Sequence, residues 1–495
     1  MLFRSVGTDT GPGSLTASGY PRLVREWHRG TPLVDAPVVF EGRPEDVLVR
    51  GAYDPTPGFE RDLIIRFLDF FHVERWLRTG DGLVQLPVPL DAQVDTHREW
   101  LLIRLRSGWT VDGVTHAAGT VLVTDFDRFV AGERDLTVAF APDPHTALDG
   151  HSWTRNHLIM STLADVRSRQ ELITPGSAEP PRPLTSADLR HTDIVATNPD
   201  QSDEYLLTTS GFTEPTTLWY GRVDGDRELV KREPAFFDAS GMAVRQYFAT
   251  SDDGTSVPYF VVGSRPGPAL LTGYGGYEIS MTPSYSGVIG RGWLAAGYTY
   301  AVANIRGGGE YGPAWHRAAL RENRPRAYED FAAVARDLVA RELTTPAQLG
   351  TLGGSNGGLL MGVMLTRYPE LFGAVAAQVP LLDMRRFHHL FAGHSWIAEY
   401  GDPDVAADWA FLRGYSPYHN VHKGRRYPPV LFITSTRDDR VHPAHARKMA
   451  ALLGAQGYDV SYYENVEGGH GAAADNRQLA LKWALILEFF RQRLA

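Results

Sequence analysis

Cysteine is missing from all 495 residues. That excludes disulfides, Cys-ligated zinc and a thiolate nucleophile. Long apolar runs are missing too: no stretch approaches the ~20 residues needed to cross a bilayer as a helix. The N-terminal MLFRSVGTDTGPGSL has no apolar core of the kind a secretory signal carries. Positive charge is in deficit, with Lys+Arg 49 against Asp+Glu 58 and a net charge of -9. A global basic face for nucleic acid is therefore excluded. Low-complexity sequence is scarce, and no internal repeat stands out. The Pro-rich stretch 175–183, PGSAEPPRP, is expected to be an exposed loop. Together these absences predict a cytoplasmic protein with neither a membrane nor a nucleic acid as partner. Hydrophobic residues at 43% and charged residues at 22% are ordinary for a globular chain. The length exceeds what one core usually serves and points to two or three domains.

The grammar of the chain changes near Asp238. Before it, short β-prone runs at 63–67, 100–105, 120–123, 136–140, 157–161 and 205–208 are separated by turn clusters. The clusters include Thr79-Gly80-Asp81-Gly82, Asp112-Gly113, Asp149-Gly150 and Asp224-Gly225. Such spacing predicts antiparallel strands in a sandwich, barrel or propeller over residues 1–237. After it, buried strands are expected at 269–272, 299–305, 349–352, 374–379, 429–434 and 460–465. Helices are expected between and after them, at 328–342, 355–367 and 476–494. In the first of these, Phe331, Val334, Ala335, Leu338 and Val339 recur at helical spacing. Strands alternating with helices imply a doubly wound, mostly parallel sheet over 238–495.

The strongest chemical signal is Gly353-Gly354-Ser355-Asn356-Gly357, a G-x-S-x-G between an apolar strand and a helix. A strand-to-helix turn there leaves the Ser hydroxyl exposed, and its crowded backbone needs small neighbours. The Asn356 N–H and the helix N-terminus then face a developing oxyanion. A Ser hydroxyl needs a base, and in α/β-hydrolases the chain order is Ser, acid, His. Asp438 or Asp439 follows the strand at 429–434, and His470 follows the strand ending near Asn465. Each alone reads as a solvated loop residue; in this order, at the carboxyl ends of strands, they form a candidate triad. The pattern itself does not separate the two neighbouring acids. His388 and His389 read as a packed or exposed pair. His442 and His445 share a helix face but lack a third ligand, so no metal site is expected. Gly307-Gly308-Gly309 lacks the Lys-Ser/Thr of a phosphate loop and reads as a tight turn. No cofactor is expected.

From Asp238 onward the residues resemble the prolyl oligopeptidase family of serine peptidases. The matching pieces are Tyr274-Gly275-Gly276-Tyr277, 303–312 (ANIRGGGEYG), Gly353–Gly358, Gly393-His394-Ser395-Trp396, Tyr400-Gly401, Tyr415-Ser416-Pro417, Asp438-Asp439-Arg440-Val441 and Gly469-His470-Gly471. The resemblance implies an α/β-hydrolase domain C-terminal to an all-β, propeller-like domain. It assigns Ser355, Asp438 and His470 to the triad, and the Tyr274 hydroxyl with the Asn356 N–H to the oxyanion hole. It gives Trp396 the indole that stacks on a substrate proline, and Arg440 the grip on a substrate carbonyl. Tyr277, Leu381, Tyr400 and Val441 complete the S1 pocket, with Tyr277 where Phe is frequent and Leu381 where Val is common. At ~45 residues per blade, the first 237 residues supply about five blades of the family's seven, which implies a truncated propeller. The activity implied is cleavage of short peptides after proline. The competing readings are a carboxylesterase using the same triad on small esters, and a binding protein with a vestigial site.

Overall fold

The computed structural model describes residues 3–177, 179–185 and 188–495. The chain forms two compact units. One comprises Met1–Pro142, Thr174–Glu179 and Phe391–Glu399; the other comprises Asp143–Ile173, Pro180–Leu390 and Tyr400–Ala495.

The first unit is built of antiparallel meanders. A three-stranded sheet (Phe3–Val6, Leu23–His28, Val38–Glu41) is followed by two four-stranded ones. These are Leu48–Asp54, Arg61–Phe67, Val73–Thr79, Gly82–Gln85, and then Gln93–His97, Trp100–Arg104, Val121–Asp125, Thr137–Phe140. The inner strands are buried on both faces, and Leu101, Ile103, Leu105 and Leu122 pack with Phe126 and Phe129. The expected Asp112-Gly113 turn closes the ribbon Trp109–Val111/Val114–His116 with φ of 47° and 79°. A two-residue hairpin turn of type I′ needs two such positive values.

The second unit begins with two more four-stranded meanders. Their strands are Thr146–Trp153, Leu158–Ala164, Arg167–Ile173, Arg182–Pro183, and His191–Thr197, Glu204–Ser210, Thr217–Arg222, Glu228–Arg232. Asp149-Gly150, expected to be a turn, instead lies inside a strand as a bulge, where the register slips between Leu148 and Gly150. A Gly in a strand marks a bulge as readily as a turn. Within the expected Pro-rich loop, Arg182–Pro183 pairs briefly with Glu171 and Leu172. Ala178 of that stretch lies outside the described residues.

An eight-stranded sheet follows. Its strands are β1 Ala243–Thr250, β2 Ser256–Gly263, β3 Ala269–Gly273, β4 Thr299–Ala303, β5 Leu349–Gly354, β6 Ala374–Gln378, β7 Val430–Ser435 and β8 Val460–Asn465. The spatial order is β1-β2-β4-β3-β5-β6-β7-β8, with β1, β2 and β4 paired antiparallel and the rest parallel. This is the doubly wound α/β-hydrolase sheet. Its principal helices are α1 Pro325–Ala340, α2 Asn356–Arg367, α3 Ala444–Ala455 and α4 Asn476–Leu494. β3 and β5 are buried almost throughout, as strands covered on both faces must be. One core joins Leu270, Leu352 and Ile433 to Ile486, Phe490 and Leu494 of α4.

The strands expected from the sequence include neither β2, although residues 257–262 are continuously buried, nor β1. Its residues are half-exposed at the sheet edge, so no buried apolar run announces it. Helix α1 starts three residues before expectation because Pro325 occupies its first turn, where a missing N–H costs nothing. Ser355 is not the first helical residue of α2 but its cap, with φ 58° and ψ -119°.

Polar groups also hold this unit. Asp330 on α1 is fully buried. It accepts from the Arg306 guanidinium at 2.6 and 2.9 Å, from the Arg306 N–H at 3.0 Å and from Ser251 Oγ at 2.6 Å. Arg306 also reaches Asp253 at 2.6 Å. The cluster thus pins the chain beyond β4, and the β1–β2 turn, to α1. Arg306→Met leaves Asp330 charged and buried without its cation, so urea unfolding should show a loss of about 3–5 kcal/mol. A loss under about 1 kcal/mol would mean that water or Ser251 satisfies the carboxylate.

Candidate active site

Ser355, Asp438 and His470 follow the carboxyl ends of the parallel strands β5, β7 and β8. Ser355 leaves β5 and caps α2. Its N–H donates to Gln378 O at 2.9 Å, and its own carbonyl accepts from Leu359 at 3.0 Å. A left-handed φ on a residue with a Cβ is strained, and crowding keeps it there. A Cβ on Gly353 would meet Gly357 O at 2.5 Å, and one on Gly358 would meet the Pro380 Cα at 2.7 Å.

Beyond β7, Asp438 is buried, and its Oδ1 accepts from the N–H groups of Arg440 and Val441 at 3.0 and 2.9 Å. His470 Nδ1 stands 3.0 and 2.9 Å from the two Asp438 oxygens. Asp439 is exposed. The geometry therefore separates the two acids that the pattern left equivalent. The loop carrying His470 is anchored at several points. Asn465 Oδ1 accepts from Glu467 and Gly468 N–H at 2.9 and 2.7 Å. Ser435 at the end of β7 donates to the Gly468 carbonyl, and Lys482 on α4 donates to Gly471 O at 2.9 Å. Burial lowers the Lys482 pKa.

Sequence reasoning gave Asn356 a backbone role only; its side chain is a hub. Nδ2 donates to the Tyr274 carbonyl at 2.7 Å, while Oδ1 accepts from Tyr400 Oη at 2.8 Å and from the Arg324 guanidinium. Arg324 is 1% exposed and lies 5.1 Å over the Tyr400 ring. Tyr400 is fully buried, and Tyr277 meets it edge-on at 5.9 Å. One amide thus joins Tyr274, Tyr400 and, through Tyr400, Tyr277. Nothing in the sequence distinguishes Arg324 from the surface arginines around it.

Leu381 and Val441 are buried, and the Arg440 side chain is exposed. Trp396, 7% exposed, ends the short helix Phe391–Trp396, a segment that groups with the first unit. The chain after Leu381 is held by His445 on α3, whose Nδ1 accepts from the N–H groups of Leu382 and Asp383 at 3.3 and 3.0 Å. His442 Nδ1 likewise accepts from Ala444 N–H at 3.0 Å. Both imidazoles of this pair serve backbone groups. Burial pushes His445 down to about 4.

Comparison with known proteins now bears on this geometry. The model of the prolyl oligopeptidase family matches residues 290–495. An uncharacterized peptidase of Sinorhizobium fredii, y4nA, is 42% identical over 98% of this chain and 69% of its own length. The chain belongs to the prolyl oligopeptidase family. A prolyl endopeptidase of Elizabethkingia meningoseptica is 34% identical over 58% of this chain and 42% of its own. The structure of a post-proline cleaving enzyme from Rickettsia typhi superposes with a TM-score of 0.92 at 30% identity. It covers 98% of this chain and 73% of that one. The protein is accordingly a serine-type peptidase of that family, with an α/β-hydrolase domain following propeller-like β-sheets. Among the described residues, no helix is long and apolar enough to cross a membrane.

Two expectations follow. Arg324→Met removes a donor that orients Asn356, so kcat should fall by about 10-fold or more on a small ester, with KM little changed. Arg324→Lys should recover part of it. Direct removal of a proposed oxyanion donor, Tyr274→Phe, should cost about 10- to 1000-fold in kcat. Unchanged kcat in Arg324→Met, measured where chemistry limits turnover, would assign Arg324 to stability alone. The second concerns pH. An unfolded His takes up a proton near pH 6.5, whereas folded His445 does so only near 4. Between those values the unfolded chain holds more protons, so this contribution is complete above pH 6.5 and drains away as pH falls toward 4. Its full size is about 3 kcal/mol. His445→Asn keeps an acceptor but loses the titration, so its unfolding free energy should drop less than wild type between pH 7 and 4.5. Equal drops would exclude His445 as the source.

Proposed function

We propose that the protein cleaves short peptides on the carboxyl side of proline through an acyl-enzyme on Ser355. The observation that carries this is the pairing of His470 with buried Asp438 beyond a strand-to-helix turn that projects Ser355. In this reading His470 Nε2 takes the Ser355 proton as Oγ attacks the scissile carbonyl. Asp438, fixed by two backbone N–H groups, keeps the Nδ1 proton in place and stabilises the imidazolium. The Tyr274 hydroxyl and the Asn356 N–H receive the oxyanion, and the field of α2 adds to them. His470 then protonates the leaving amine, and water repeats the sequence on the ester.

Specificity rests on the pocket residues. Tyr277, Leu381, Tyr400 and Val441 are proposed to line S1, and Arg440 to hold a substrate carbonyl. The family resemblance gives Trp396 the face on which a proline ring stacks. The relatives' names, a prolyl endopeptidase and a post-proline cleaving enzyme, support the same substrate class.

A fluorophosphonate should label the native protein and not Ser355→Ala. Ser355→Ala or His470→Ala should lower kcat by three orders of magnitude or more, on the order of 4 kcal/mol. Asp438→Asn should cost far more than Asp439→Asn. Trp396→Ala should reduce kcat/KM on a peptide with proline before the scissile bond by about 10- to 200-fold, and on p-nitrophenyl acetate much less. Equal losses on both would make Trp396 structural. Robust ester hydrolysis by the wild type without peptide cleavage would hand the site to a carboxylesterase; no labelling would leave it vestigial.

A further inference from the structure

Among the described residues, His388, His389 and Asp404 each offer a ligand atom within 4.8 Å of the others. We propose that these three side chains form a binding site for a divalent transition ion of the zinc class. The bound ion would staple together the two ends of the segment that carries Trp396 and Tyr400.

The geometry is close to what such an ion needs. His388 Nε2 lies 2.9 Å and His389 Nε2 3.4 Å from the same carboxylate oxygen, Asp404 Oδ2. Zinc bonds of about 2.0–2.1 Å in a tetrahedral site place ligand atoms about 3.3 Å apart. Two of the three ligand separations are near that value, and the third is within 4.8 Å. Both histidines belong to the single 3-10 turn Phe387–His389, and their rings sit 3.7 Å apart with a tilt of 37°. His388 is fixed by burial, its side chain 4% exposed, while His389 and Asp404 at 65% and 52% are open to an arriving ion.

The donor set selects the ion. Two imidazoles and one carboxylate suit zinc, nickel or copper and disfavour magnesium and calcium. Three protein ligands leave a fourth position for water, unlike a closed structural site. Arg385 Nη1, 3.2 Å from the other Asp404 oxygen, orients the carboxylate but weakens cation affinity by its own charge. An ion-dependent adjustment fits this better than a permanent cofactor.

The position gives the site a consequence. Phe387, next to His388, packs edge-on against Tyr400 at 5.5 Å, and Tyr400 Oη donates to Asn356 beside Ser355. The ion would join 388–389 to 404 and close the intervening chain into a short loop. That restraint weighs most on the unfolded or locally open chain.

The test uses untagged, chelator-treated full-length protein. Titration with Zn2+ alone, read by calorimetry, should show one site with Kd in the micromolar range. His389→Ala and Asp404→Asn change exposed groups and should each weaken it by at least tenfold. Co2+ should give the intense visible bands of a four-coordinate ion in the wild type only. Saturating Zn2+ should raise the midpoint of thermal unfolding in the wild type and not in His389→Ala, and Mg2+ should do neither. Absence of saturable binding, or binding that both variants retain, would overturn the site. Binding without a thermal shift would overturn the staple.

Discussion

Everything about the candidate site depends on one strained turn. Ser355 holds a left-handed φ that costs on the order of 1–3 kcal/mol for a residue with a side chain. The turn persists because its alternatives are closed off. β5 on one side is buried in the middle of the sheet, α2 on the other begins at once, and Gly353 and Gly358 let the two backbones pass within contact distance. The cost yields position: the Ser hydroxyl stands clear of the sheet edge with a helix N-terminus behind it. The acid and the base need no comparable strain. They sit on loops after β7 and β8, two and three strands away; the N–H groups of Arg440 and Val441 fix Asp438, and ordinary hydrogen bonds to Asn465, Ser435 and Lys482 fix the His470 loop.

How much of this was legible follows from where the constraint is local. The turn, the parallel strands and α4 were readable because each is written in contiguous residues: small residues around a Ser, buried apolar runs, helical spacing from 476 to 494. Ser, acid and His could be ordered because their chain order is a topological consequence of the sheet. Asp438 and Asp439 could not be separated by pattern, since burial is decided by how the loop turns back on Val441. The family resemblance supplied that choice, and the 2.9 Å contact to His470 agrees with it. Arg324, His445 and the Asn356 side chain were not legible at all. Their partners lie 32, 62 and 82 residues away, and a residue's own neighbours carry no record of such contacts. Strand β1 was missed for the opposite reason: it is local, but an edge strand has too few buried residues to announce itself.

The glycine motif at 307–309, read from the sequence only as a tight turn, is part of the same problem as Ser355. Tyr277 and Glu278 also carry positive φ, 57° and 58°, in a turn that follows β3. Two adjacent non-glycine residues in that region need outside support. The support comes from the segment after β4: the Glu278 N–H donates to Gly307 O at 3.1 Å. A Cβ on Gly307 would lie 2.5 Å from Gly275 O, and one on Gly309 would lie 2.3 Å from Glu278 O. The glycines therefore form a flat floor on which the Tyr277 turn rests. On its other side, a Cβ on Gly276 would meet Asn356 Nδ2 at 2.6 Å. The two strained turns, one presenting Tyr274 and Tyr277 and the other presenting Ser355, are thus locked against each other through a single amide. A substitution at Gly276 or Gly307 would act on the proposed oxyanion hole by moving Tyr274 relative to Asn356, while leaving Asp438 and His470 in place.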